Sequence, residues 1–285
     1  MRGRKEAVLT VLFATGTILF VWLAAAVIAL VTLRKGASQG GYLLLWGLLP
    51  AVLIAAYGDT GPLTTLLGVT LVATVLRATA SWPWALVAAV ISGLLTALVM
   101  LTAGAGYIEL ILQMFGDMLA ELARQSAAAA QTDTAAALAL PNAEQVAGLL
   151  GLSNAFTVTI CLLLGRWWQS LLYNPGGFQR EFHRLRLPPS LTIILLLSSF
   201  LLSAIGLNYR FWAVICALPF LFAGFALVHG LFAQKRLNGG WLSIFYGAWL
   251  LLAPIKIVLL ILVVVDSFAD IRGRLAPKQQ DDSDS

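Results

Sequence analysis

Charge is what this sequence has least of. Only 11% of its 285 residues are Asp, Glu, Lys or Arg, where a soluble domain carries about 25%, and 60% are hydrophobic. That balance excludes an ordinary soluble globule. Cysteine is scarce as well: Cys161 and Cys216 lie in long apolar runs with no partner at turn spacing. A disulfide framework and a CxxC metal site are thereby excluded, and both thiols read as packing residues. No Gly-x-x-x-x-Gly-Lys-Ser/Thr phosphate loop occurs, so the chain does not itself power transport with ATP. HExxH, G-x-S-G, paired intramembrane aspartates and paired acidic Mg²⁺ motifs are missing too, and the sequence therefore reads as a protein without catalytic residues, metal or cofactor.

What is present is apolar sequence in long stretches. Windows free of charge run over 7–33, 41–57, 62–76, 84–104, 146–165, 190–207 and 211–234, and an eighth, 241–265, is interrupted only by Lys256. A spanning helix takes roughly 20 apolar residues, and the alternating pattern of a membrane barrel is missing. The expected fold is all-α: a polytopic transmembrane bundle with about eight hydrophobic segments. Turn residues separate several of them, as in Gly58-Asp59-Thr60-Gly61-Pro62, Ser81-Trp82-Pro83, Asn174-Pro175-Gly176-Gly177 and Asn238-Gly239-Gly240. The basic start resembles a signal peptide's n-region, but the apolar run after it is too long and ends in Arg34-Lys35, so it reads as a retained segment.

The net charge of +5 speaks to orientation rather than to nucleic acid, because Lys and Arg placement sets topology. Eight straight spans would put eight basic residues on one side and nine on the other, unlike the usual cytoplasmic excess. If the first and last segments instead fold back as broken or re-entrant hairpins, fifteen fall on one side against Arg124 and Arg210 on the other, with Lys256 inside the membrane segment. Thr15-Gly16-Thr17 and Pro254 stand near the two midpoints. A straight 27-residue helix would also measure about 40 Å against a hydrocarbon core of about 30 Å. Tilted straight helices are the alternative. Folding back puts both termini in the cytoplasm and leaves 104–145, acidic and Ala-rich, outside. That insertion begins amphipathic, with Ile108, Ile111, Leu112, Phe115, Leu119 and Leu122 recurring at three- and four-residue steps. The expected organisation is one integral membrane domain over 1–271, with a basic interfacial loop at 174–189 and a polar tail at 272–285.

Within and beside that loop, Arg166, Trp167, Trp168, Phe178, Arg180, Phe182, Arg184 and Arg186 form an expected lipid or partner interface, with Phe178, Phe182 and Leu185 on one helix side and the basic groups on the other. Ionisable groups at membrane depth mark ligand or ion paths or structural pairs. Lys256 leads these candidates, either snorkelling from a hairpin apex or meeting an anion in a cavity; Pro254 would free a carbonyl near Leu250 to assist it. Asp59 and Arg77 bracket the third segment, and Asn154, Thr157, Thr159 and His229 either line a polar pocket or bond between helices. Asp266 and Asp270 cap the last segment or pair with Arg272 and Arg274.

The basic N-terminus leading to Arg34-Lys35-Gly36, the Gly58-Asp59-x-x-Pro62 turn and Asp266-x-x-x-Asp270-x-Arg272 together resemble the YybS-like predicted bacterial membrane proteins, a family defined by a domain of unknown function. That family is similar in pattern to the substrate-binding subunits of energy-coupling-factor transporters. The resemblance implies an inner-membrane protein that binds a small molecule and relies on separate ATPase partners. A non-catalytic assembly or regulatory membrane protein is the alternative expectation.

Overall fold

The computed structural model of the protein describes residues 3–17, 19–128 and 140–275. Within them the chain is helical, with no strand: α1 (Arg4–Gly16), α2 (Val21–Lys35), α3 (Ala37–Ala56), α4 (Gly61–Thr79), α5 (Trp82–Thr102), α6 (Ala105–Ala128), α7 (Ala143–Tyr173), α8 (Gly177–Arg184), α9 (Pro189–Ile205), α10 (Arg210–Gln234), α11 (Gly239–Leu251), α12 (Ala253–Ala269) and α13 (Ile271–Leu275), with a 3-10 turn at Leu207–Tyr209. Five of these helical stretches, α3, α4, α5, α7 and Leu207–Gln234, are long and apolar enough to cross a membrane, or six if the bent pair α11 and α12 makes one span. Eight hydrophobic segments are therefore not eight long helices: α9 is shorter, and the first and last segments are broken.

The breaks have local causes. α1 stops at Gly16, and the Thr17 amide turns back onto the Phe13 carbonyl 3.1 Å away. α11 and α12 meet at 112° across extended Leu252, whose amide closes the last turn of α11 on Ala248. Pro254 lies in the first turn of α12, where its missing N–H would have been unpaired anyway. It begins a helix rather than freeing a carbonyl inside one.

Pairwise packing then sorts the ends. α1 packs on α2, and both pack on α3; Arg4 of α1 donates to Gln39 at the start of α3 at 2.7 Å. The start of α1 and the end of α2 thus share one pole of the bundle. Arg77 at the end of α4 donates to the Leu33 carbonyl, Trp82 at the start of α5 meets Phe178 ring to ring, and Gln234 at the end of α10 donates to the Arg272 carbonyl. Arg4, Lys5, Arg34, Lys35, Arg77, Arg166, Arg180, Arg184, Arg186, Lys235, Arg236, Arg272 and Arg274 accordingly gather at this basic pole, together with both ends of the described chain. Arg210 and the root of α6 lie at the far pole, where Trp212 donates to the Glu144 carbonyl at 2.9 Å. Arg124 is carried on α6. Of the Ala-rich stretch, residues through Ala128 continue α6; most of the remainder, like Arg2, Lys278 and residues 276–285, lies outside the described residues.

The core depends on small residues. A Cβ on Gly93 would stand 2.8 Å from the Gly151 carbonyl oxygen and 2.7 Å from the Ala155 methyl, so α5 and α7 approach backbone to backbone, as membrane helices do through Gly and Ala. α7 is started firmly: Asn142 and Gln145 form a reciprocal capping box at 2.9 and 3.1 Å. Large apolar side chains face outward around the bundle, among them Leu49, Leu53, Leu98, Leu197, Phe200 and Ile257.

Candidate functional site

A crevice of about 180 Å³ lies at the basic pole, between the α1–α2 hairpin, α3 and the end of α7. Ala7, Val27, Leu30, Val31 and Leu43 give it an apolar floor, and Arg4, Arg34, Lys35, Gln39, Tyr42, Trp168 and Tyr173 give it a polar and aromatic rim. The Arg34 guanidinium stands 3.9 Å above the Tyr173 ring, a cation–π contact that holds it without a carboxylate. Among the described residues no acidic side chain lines the crevice. Sequence reasoning picked out Trp168 there but missed the rest, because Arg4, Arg34, Tyr42 and Tyr173 come from four helices and meet only after the first segment folds back.

Asn154 lies in the bundle interior. Its side-chain oxygen accepts from Thr65 at 3.1 Å, and its amide donates to Ser92 at 3.1 Å and Thr96 at 2.9 Å. This buried network joins α4, α5 and α7 and uses its own hydrogen-bonding capacity. Thr159 bonds back to the Ala155 carbonyl and His229 to the Tyr246 hydroxyl, so the structure does not bring these polar groups into one pocket. Asp59 and Arg77 stand at opposite ends of α4, about 27 Å apart along its axis. Asp59 closes a turn on the Gly61 amide at 2.9 Å; burial, and after it the Asp59 charge, raises the neighbouring Tyr107 phenol above its ordinary pKa.

Lys256 is exposed near the α11–α12 bend, its Nζ 5.5 Å from the Trp249 ring centre. It faces no buried anion. The buried cation is instead Arg272, expected in the polar tail but only 8% exposed. It donates to the His183 carbonyl at 2.6 Å, the Leu185 carbonyl at 2.7 Å and Asp266 at 2.8 Å. Asp266 also accepts from the Ile271 amide at 3.0 Å. This cluster fastens the end of α12 to the α8–α9 loop.

The four arginines expected to form one basic surface divide into two kinds. Arg166 pairs with Glu181 and donates to Gln169 at 2.8 Å, and Arg186 pairs with Asp270 at 2.7 Å. Arg180 and Arg184 have no carboxylate within ion-pair distance among the described residues. Phe178 and Phe182 stack at 5.8 Å and pack partly into the core, whereas Trp167 is exposed. Among the described residues no group of three His, Cys, Asp or Glu could hold a metal. No family model, curated protein or solved structure matches the chain.

Proposed function

We propose that this is a multi-pass inner-membrane protein that binds a small anionic molecule in the crevice under the α1–α2 hairpin and serves as the binding subunit of a transporter whose ATPases are separate chains. The carrying observation is the rim: Arg4, Arg34 and Lys35 with three aromatics over an apolar floor, and no carboxylate among the described residues that line it. Such a lining attracts a carboxylate or phosphate attached to an apolar body, since the anion meets the cationic rim and the body meets Val27, Leu30 and Leu43. In this reading α3, α4, α5, α7, α9 and α10 cross the bilayer, the α1–α2 and α11–α12 hairpins do not, and the basic pole is cytoplasmic by the positive-inside rule.

Thermal unfolding of the purified chain across a panel of small aliphatic and aromatic carboxylates and phosphates tests the site. At least one anion should stabilise the parent and lose that effect in Arg34→Gln. A panel with no stabilising member, or one whose effect survives Arg34→Gln, removes the crevice as the binding site. Mild-detergent affinity purification tests the transport scheme separately, and recovery of an envelope or division complex without ATPases would favour an assembly role. The exposed, carboxylate-free Arg180 and Arg184 on α8 are the observation that favours that second reading.

A further inference from the structure

α8 separates two concavities that meet at His183. On one side lies a basic basin of about 780 Å³ that includes Arg180, Arg184, Arg186 and Arg272. On the other lies a groove of about 660 Å³ between α7, α8 and Tyr246 of α11. In the basin, Arg186 is neutralised by Asp270 and Arg272 by Asp266, so among the described residues the charge without a carboxylate partner belongs to Arg180 and Arg184.

The groove wall is apolar in effect as well as in composition. Of its polar side chains, His229 bonds the Tyr246 hydroxyl at 2.8 Å and Ser170 the Asn174 carbonyl and the Phe178 amide at 2.8 and 3.1 Å, while Gln179 and His183 belong to α8 at the end next to the basin. Ile160, Leu163, Leu164, Trp167 and Leu171 run along one side of α7 and Phe178 and Phe182 close the polar end. From Leu171 to Ile160 the helix rises about 16 Å, close to half of a hydrocarbon core about 30 Å thick. The groove is therefore one leaflet deep and starts where the basin ends.

We propose that this is a site for one anionic phospholipid, its phosphate on Arg180 and Arg184 and an acyl chain laid along α7. The occupant follows from charge and length together: a free anion would leave the groove empty, and a zwitterionic lipid would bring its own cation to the two guanidinium groups. The site is independent of the crevice of the proposed function, because Trp168, Leu172 and Tyr173 line that crevice from another side of α7.

Native mass spectrometry of the full chain in neutral detergent, titrated with dioleoyl phosphatidylglycerol, dioleoyl phosphatidylcholine and glycerol 3-phosphate, provides the test. Phosphatidylglycerol should bind one to one and more tightly than either control. Arg180→Gln with Arg184→Gln should weaken it about thirtyfold. Ile160→Trp with Leu171→Trp fills the groove at exposed positions and should weaken the diacyl lipid while leaving any binding of glycerol 3-phosphate unchanged. Equal binding of the two lipids, or insensitivity to both double variants, would overturn the site. Glycerol 3-phosphate binding as tightly as phosphatidylglycerol would reduce it to an anion site without a tail. A co-purifying protein lost from the arginine variant, with no lipid preference, would make the surface a protein dock and refute the lipid.

Discussion

Arg272→Met should destabilise the protein by about 3–5 kcal/mol, because it strips the partner from buried Asp266 and leaves the His183 and Leu185 carbonyls without their donor. Asp266→Leu with Arg272→Met should cost less than the sum of the single changes, since neither charge is then stranded; unfolding in detergent measures all three variants. His183, near that guanidinium, titrates below its ordinary 6.5, first through burial and then through repulsion by Arg272. The unfolded chain binds its proton more readily, so stability should fall as pH drops through that ordinary value. His183→Gln should flatten the fall over this window. Asp270 behaves in the opposite sense: the hydrogen bond from Arg186, then that from the Gly273 amide, hold its pKa below the ordinary 3.8. Its contribution is present above that value and disappears only in stronger acid. In sequence, Asp266 and Asp270 announced a cap or an ion pair, but the two carbonyls that fix Arg272 lie almost ninety positions away and carry no side-chain signal.

Helices reveal themselves in this chain by their interruptions. The apolar windows located most of them, and the turn residues at 58–62, 81–83 and 174–177 marked their ends because Gly and Pro interrupt the hydrogen-bond ladder. The expected position of the first break was within a turn of the observed one. Pro254 reads in sequence as the break between two half-helices; the break falls two residues earlier, at Leu252, because a proline fits the first turn of a helix and here opens α12. Closeness between helices is where substitution should be felt most. Gly93→Leu would drive a branched side chain into the Gly151 carbonyl and the Ala155 methyl, and the parting of α5 from α7 should cost at least about 1–3 kcal/mol with reduced yield of folded protein. Asn142→Ala removes half of the α7 capping box and should cost about 1 kcal/mol.

At the scale of the whole molecule, the distribution of Lys and Arg is the sequence signal that argues against eight straight spans, and five or six of the described helical stretches are long and apolar enough to cross. The crevice was not legible, because its rim is spread from Arg4 to Tyr173 and its shape depends on how α1 turns back. An impermeant thiol reagent should reach cysteines placed at Arg34, Arg184 and Lys235 only from the cytoplasmic side, and one placed at Arg124 only from outside, in a background lacking Cys161 and Cys216. Labelling of 34 and 235 from outside would mean that the end segments cross. In the proposed topology, parity gives those hairpins a further meaning. A segment that enters and leaves by the same face adds nothing to the odd-or-even count that decides which way each later helix points. Removing α1 and α2 should therefore leave α3 to α12 in their original orientation, whereas losing any one crossing helix would invert everything after it. A chain with that topology can acquire, reshape or lose an end hairpin, and with it the crevice at the basic pole, without reversing its central bundle in the membrane.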